Sequence, residues 1–65
     1  MRNIKKYFIN ENNSIRQASN NMTKFGLRCL LVLNKNNIFL GTLSTGDIRK
    51  CLTRGLSLSE SIKKI

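Results

Sequence analysis

The stretch CLLVLNKNNIFLGTL, residues 29–43, limits the fold more than any other part of the chain. CLLVLN is a continuous apolar run, short and bounded by polar residues, which suits a strand buried on both faces. NKNN (34–37) has the composition of a hairpin turn. IFLGTL (38–43) then returns as a second strand, antiparallel to the first. Gly41 inside it marks a bulge or a close backbone approach.

The flanking segments supply the remaining elements. KYFIN (6–10) is aromatic and β-branched and predicts a first strand, followed by the turn ENN. Ser14 with Gln17 three residues later forms a capping-box pattern that starts a helix. Ile15, Ala18, Met22 and Phe25 then recur at helical spacing on one face, and Gly26 fits the position that ends a helix. A second helix starts at Ser44 or Thr45, carries Ile48, Cys51 and Leu52 as an apolar stripe, and closes at Gly55. The tail LSLSESIKKI has a small capping signal of its own and predicts one further turn. The order is β-α-β-β-α, an α+β (α/β sandwich) fold with a three-stranded sheet and two helices. Two helices cover only one face of such a sheet, so the chain needs a partner for the other.

Length sharpens that need. A chain of 65 residues is a single domain. It buries roughly 60% of the surface that its unfolded chain exposes. Covalent or metal staples are not indicated. The only cysteines are Cys29 and Cys51, there is no histidine, and no C-x-x-C occurs. Each cysteine lies in an apolar run and reads as a small hydrophobe. The longest apolar run is far too short to span a membrane, and the positive MRNIKK start is not followed by the apolar stretch of a signal peptide. The chain therefore reads as cytoplasmic.

Twelve Lys and Arg against three acids give a formal charge of +9. That balance favours an anionic partner: nucleic acid, a nucleotide or an acidic protein surface. The basic residues are scattered, as on a solvated surface. Nucleic acid is disfavoured. Lys50 and Arg54 share a helix face, but Arg49 is turned about a third of a revolution away. Tyr7, Phe8, Phe25 and Phe39 all sit in core-like patterns, which leaves no aromatic platform. Catalysis by this chain is also disfavoured: no histidine is present, the cysteines have no evident base, and Glu11, Asp47 and Glu60 are far apart in sequence.

The junction Ser44-Thr45-Gly46-Asp47 supports two readings. As a capping box, Ser44 accepts from the Asp47 N–H and Asp47 reaches back to the Ser44 N–H. As a ligand site, the same residues lie at the C-terminal end of a strand and the N-terminus of a helix, where free N–H groups favour phosphate. The Ser44 hydroxyl and the N–H groups of Thr45 and Gly46 would hold phosphate oxygens, and Asp47 would accept from a ribose diol.

SIRQA opening the first helix, CLLVLNKNNIFLGTLSTGDI and the trailing LSLSESIKKI together resemble a CBS (cystathionine-β-synthase) domain over residues 5–65. GTLSTGDI matches the family signature of Gly, two apolar residues, Thr or Ser, two variable residues and Asp. GDIRK with RG shortly after is similar to CBS units beside bacterial sugar-phosphate enzymes. The position near Met1 fits the N-terminal unit of a sugar-nucleotidyltransferase. The resemblance implies half of a CBS pair, a fragment of a longer chain with an attached catalytic domain. It implies pairing sheet to sheet with a second CBS unit, as a homodimer, and an adenosine-type nucleotide such as AMP or ATP as regulatory ligand in the cleft. Carried over by position, Ser44, Thr45, Gly46 and Asp47 would contact phosphate and ribose. Leu30, Leu31 and Val32 would lie near the base. The family often has Pro where Leu31 stands, and this chain has none. A CBS unit with a purely structural pairing role is the alternative.

Overall fold

The asparagines of the 34–37 turn explain why the chain reverses there. The Asn34 side-chain oxygen accepts from the N–H groups of Asn36 (2.8 Å) and Ile38 (3.1 Å). Asn37 takes a left-handed conformation (φ 62°), which asparagine tolerates better than most residues. In the computed structural model, which describes residues 4–65, this turn joins strands β2 (Cys29–Leu33) and β3 (Phe39–Ser44). Strand β1 (Phe8–Asn10) lies parallel to β2 on its other side, so the sheet order is β1-β2-β3. The register pairs Ile9 with Val32 and Leu30 with Leu43. It slips between Val32 and Leu33, where Val32 faces Gly41 and Leu33 faces Phe39. Gly41 (φ 156°) thus sits at a bulge, one of the two roles its sequence position suggested.

Helix α1 (Ile15–Phe25) follows β1, and helix α2 (Thr45–Thr53) follows β3 directly. The observed unit is therefore a three-stranded mixed sheet with two helices, the expected α+β order. Alternation along the strands sends one set of side chains to the helices. Ile9, Leu30, Val32 and Leu43 of the sheet form a core with Ile15, Ala18 and Met22 of α1, Ile48 and Cys51 of α2, and Ile62. Ile62 belongs to a 3-10 turn, Ile62–Lys64, the further turn predicted in the tail. The tail is tied across the molecule: the Ser61 hydroxyl donates to the Glu11 carbonyl, and the Ile62 N–H to that of Asn13.

Several details depart from the sequence reading. Lys6 and Tyr7 belong to a 3-10 turn, Ile4–Tyr7, so β1 starts only at Phe8. Strand β2 is not buried on both faces. Leu30 and Val32 are buried, but Leu31 and Leu33 are half-buried and Cys29 is exposed, because both helices pack on the same side. Cys51 is the small core hydrophobe expected, whereas Cys29 is not; both are free thiols. Phe25 and Leu52 were expected on the core stripes but are 41% and 43% exposed. At the end of α1, Leu27 takes the place on the core. Its N–H donates to the Met22 carbonyl and the Gly26 N–H (φ 67°) to that of Thr23, the doubly bonded ending that brings the residue after the glycine onto the preceding turn.

Tyr7 and Phe39 are also exposed and Phe8 is half-buried, so the aromatic residues do not fill the core. Tyr7 precedes β1, Phe25 ends α1 and Phe39 begins β3. Ammonium groups of Lys6 and Lys24 lie 5.3 Å from the ring centres of Tyr7 and Phe25 respectively. Among the described residues no helix is long and apolar enough to cross a membrane.

Candidate functional site at the β3–α2 junction

Strand β3 leads into α2 without an intervening loop, which places Ser44 at the last position of the strand and at the cap of the helix. Its extended backbone (φ −101°, ψ 165°) is the conformation a helix-capping residue adopts. The Ser44 hydroxyl accepts from the Asp47 N–H at 3.1 Å, and the Ser44 N–H donates to Asp47 Oδ2 at 2.9 Å. The capping box read from the sequence is therefore closed. The Ser44 backbone N–H, then the Ser44 side chain, hold the Asp47 carboxyl below its ordinary value, with a smaller contribution from the nearby charge of Lys50; partial desolvation opposes them. Asp47 is thus a carboxylate at neutral pH, at the end of the helix where negative charge is favoured.

The remaining predicted contacts divide. The Thr45 N–H is already used, donating to the Arg28 carbonyl at 3.0 Å, so it is not the free phosphate donor that the sequence suggested. Arg28 precedes β2, and the bond clamps the start of α2 to the start of the central strand. No sequence signal marks that pairing, since it joins residues 17 apart through backbone atoms. The Gly46 N–H lies in the first helical turn, where no earlier helical carbonyl reaches it. A Cβ added at Gly46 would meet only the Ser44 hydroxyl, at 3.6 Å, so space above this backbone is open.

Leu31 is brought to the same side of the sheet as Ser44. Leu31 pairs with Thr42 and Cys29 with Ser44, and side chains two residues apart share a face. That is the face away from the helices. Leu30 and Val32, expected beside Leu31, point the other way into the core. Neither of two surface cavities takes in Ser44, Asp47 or Leu31. One lies between the tail and β3, lined by Glu11, Leu40, Leu43, Ile62 and Ile65. The other lies between the helices and includes Met22, Leu27, Thr45 and Ile48. The junction is thus an open ledge at the rim of the uncovered sheet face, with an apolar residue, a carboxylate and one helix-start N–H on it.

The comparisons with known proteins address the fold. No family model matches the chain. A protein of Helicobacter pylori without a characterised role is 38% identical over 50 residues, covering 77% of this chain and 15% of that protein. The structure of an uncharacterised conserved protein from Pyrococcus horikoshii superposes with a TM-score of 0.81 at 27% identity, covering 94% of this chain and 48% of that one. A CBS-domain-containing protein from Agrobacterium tumefaciens superposes with a TM-score of 0.80 at 19% identity, over 88% of this chain and 44% of that one. The chain thus spans about half the length of these solved structures and a small part of the curated relative. Its three-stranded mixed sheet with two helices on one face has the fold of a single CBS unit.

Proposed function

We propose that the chain is a CBS regulatory unit. It packs its open sheet face against a second CBS unit and takes an adenosine-type nucleotide, AMP or ATP, at the β3–α2 junction. Occupancy of that cleft modulates an attached catalytic domain, a sugar-nucleotidyltransferase, and the chain itself performs no chemistry. The observation that carries this reading is the uneven sheet: one face is sealed by both helices, and the other leaves Cys29, Phe39 and Thr42 exposed and Leu31 half-buried. A small domain with half of its sheet uncovered gains stability from a partner. Because Ser44 and Leu31 share that face, pairing would roof over the ledge and turn it into a cleft.

In that cleft each group has a chemical task. The Gly46 N–H suits a phosphate oxygen, and the Ser44 hydroxyl, which accepts from the Asp47 N–H, would turn its one proton from the Asp47 carboxylate to the phosphate. Asp47 has a second carboxylate oxygen beyond the one used in the cap, suited to a ribose hydroxyl. Leu31 offers apolar surface to a base.

Thermal unfolding with a panel of adenine, guanine and cytosine nucleotides tests the reading. A ligand bound only by the folded state stabilises by about 2.7 kcal/mol at a hundredfold excess over its dissociation constant. The expected result is a rise in Tm with adenine nucleotides that Asp47→Ala removes. Asp47→Asn keeps an acceptor for the Ser44 N–H and separates loss of ligand from loss of the cap. One observation favours the second reading, a structural pairing unit: Ser44 and Asp47 already satisfy one another. Unchanged Tm with every nucleotide, together with a stable paired state, would select it.

A further inference from the structure

The cavity between the tail and β3 has a lining that the nucleotide reading leaves unused. Its floor is aliphatic: Val32, Leu43 and Ile62, all of them core residues. They place it on the helix side of the sheet, away from the ledge at Ser44 and Leu31. Leu40 and Ile65 are exposed on its rim. Gly41 adds no side chain to the wall, and a Cβ built on it meets nothing within 4 Å. The charged part of the lining is one carboxylate and one ammonium, those of Glu11 and Lys63. The backbone fixes these two residues as neighbours, since the Lys63 N–H donates to the Glu11 carbonyl at 3.2 Å. Their side chains nevertheless form no ion pair with each other among the described residues.

Volume limits what fits there. The cavity measures about 210 Å³. A cavity of about 150 Å³ holds benzene, and sites for drug-sized molecules start near about 300 Å³. A nucleotide is too large, whereas a molecule somewhat bigger than benzene fits. An aliphatic α-amino acid has that size, and at neutral pH it carries an ammonium and a carboxylate on one carbon. Glu11 complements the first and Lys63 the second, through charge-assisted hydrogen bonds. The aliphatic side chain then covers Val32, Leu43 and Ile62 and removes their remaining apolar surface from water. We propose that the groove between the tail and β3 is a binding site for a free aliphatic α-amino acid. The bound molecule bridges Lys63 of the tail to Glu11 and to β3. The site is separate from the β3–α2 junction and stands whether or not a nucleotide binds there.

The test is a titration of the isotope-labelled chain with L-leucine, followed by the amide signals of its NMR spectrum. The expected result is a saturable shift of the Gly41, Thr42 and Lys63 signals, with those of Ser44 and Asp47 unmoved. Glu11→Gln and Lys63→Met each weaken binding by about tenfold or more, the loss of one hydrogen bond to a charged group. Both side chains lie at the surface, so the dispersed spectrum of the folded chain persists in these variants. Leu40→Asp, on the exposed rim, abolishes binding. Isocaproate, which lacks the ammonium, and isoamylamine, which lacks the carboxylate, bind at least about tenfold more weakly than leucine by the same reasoning. No saturable shift with leucine, isoleucine or valine would overturn the proposal. Isocaproate binding as tightly as leucine would leave a plain apolar groove and overturn the assignment to an amino acid. Unchanged affinity in both charge variants, or shifts centred on Ser44 and Asp47, would place the ligand elsewhere and overturn it as well.

Discussion

Helix α1 begins Ser14-Ile15-Arg16-Gln17 and α2 begins Ser44-Thr45-Gly46-Asp47, so each starts on a serine with a polar residue three positions on. Both serines accept from the N–H of that third residue, at 3.0 Å and 3.1 Å. Beyond this bond the two starts differ. Gln17 does not reach back to Ser14; its amide donates to the Asn21 side chain at 3.1 Å. The box predicted for α1 is therefore half formed, and the tail supplies what is missing: the Ile15 and Arg16 N–H groups donate to the carbonyls of Glu60 and Leu58. The first turn of α1 is sealed by protein. The first turn of α2 is closed by its own charged side chain, clamped at Thr45, and left open at Gly46. Two similar tetrads thus have different uses because of what packs against them, and only the second retains unused polar capacity.

The largest expected effect in this comparison is at Ser44. Its bonds are partly buried, whereas the Ser14 bond is exposed. Replacing a capping serine with alanine costs about 0.5–2 kcal/mol. Ser44→Ala belongs near the upper end, because the Asp47 N–H loses its acceptor in a half-buried place. Ser14→Ala belongs near the middle, about 1 kcal/mol, since the tail still satisfies the two N–H groups before Gln17. In a domain of this size 1 kcal/mol moves Tm by roughly 4–8 °C, so two melting curves rank the caps. Equal shifts would mean that the tail contributes nothing to the start of α1.

A smaller effect separates the tetrads by charge. Asp47 has a folded pKa below its unfolded value, held down first by the Ser44 N–H. The sign follows from linkage: a lowered pKa adds stability that is fully present above the unfolded value and is lost as pH falls through the folded one. Stability should therefore decline below about pH 4, the ordinary carboxylate range. The part of that decline that Asp47→Asn removes belongs to this carboxylate. Urea unfolding of both proteins between about pH 5 and pH 2 measures it, across the range where carboxylates titrate. Parallel curves would show that the cap uses Asp47 as an acceptor and not as a charge.

Much of this was legible in the sequence because it is local. The hairpin follows from Asn34 and Asn37, the end of α1 from Gly26, and the α2 box from a serine and an aspartate three residues apart. What was misread depends on contacts between distant segments. The Thr45 N–H looked free because its acceptor, the Arg28 carbonyl, lies at the far end of the hairpin. Gln17 looked like a capping partner because nothing in SIRQ announces that Leu58 and Glu60 will close the same turn. The run CLLVL looked buried on both faces because five consecutive apolar residues do not say how many layers cover them. Phe25 followed the helical period, yet Leu27 beyond the cap took the core contact. The roles of Ser44, Thr45, Gly46, Asp47 and Leu31 toward a ligand rest on the family resemblance. The geometry adds that the first four stand at one strand–helix junction and that Leu31 shares the sheet face of Ser44.

The smallest expected effect completes the contrast, and it is at Gln17. In a full capping box the third residue matters because its side chain satisfies a donor that nothing else reaches. At Gln17 the side chain satisfies none: its only bond runs forward to Asn21 on the helix surface. Removing such a pair costs about 0.2–0.5 kcal/mol. Alanine recovers a similar amount through its higher helix propensity, a few tenths of a kcal/mol. Gln17→Ala should leave Tm within about 2 °C of wild type, given the 4–8 °C expected per kcal/mol. Asp47→Ala, its counterpart in α2, should lower Tm clearly, because it strands the Ser44 N–H and removes a negative charge from the helix start. If Gln17→Ala were as costly as Asp47→Ala, the α1 box would close in solution. The tail would then be an accessory to that helix start, and the two tetrads would be equivalent.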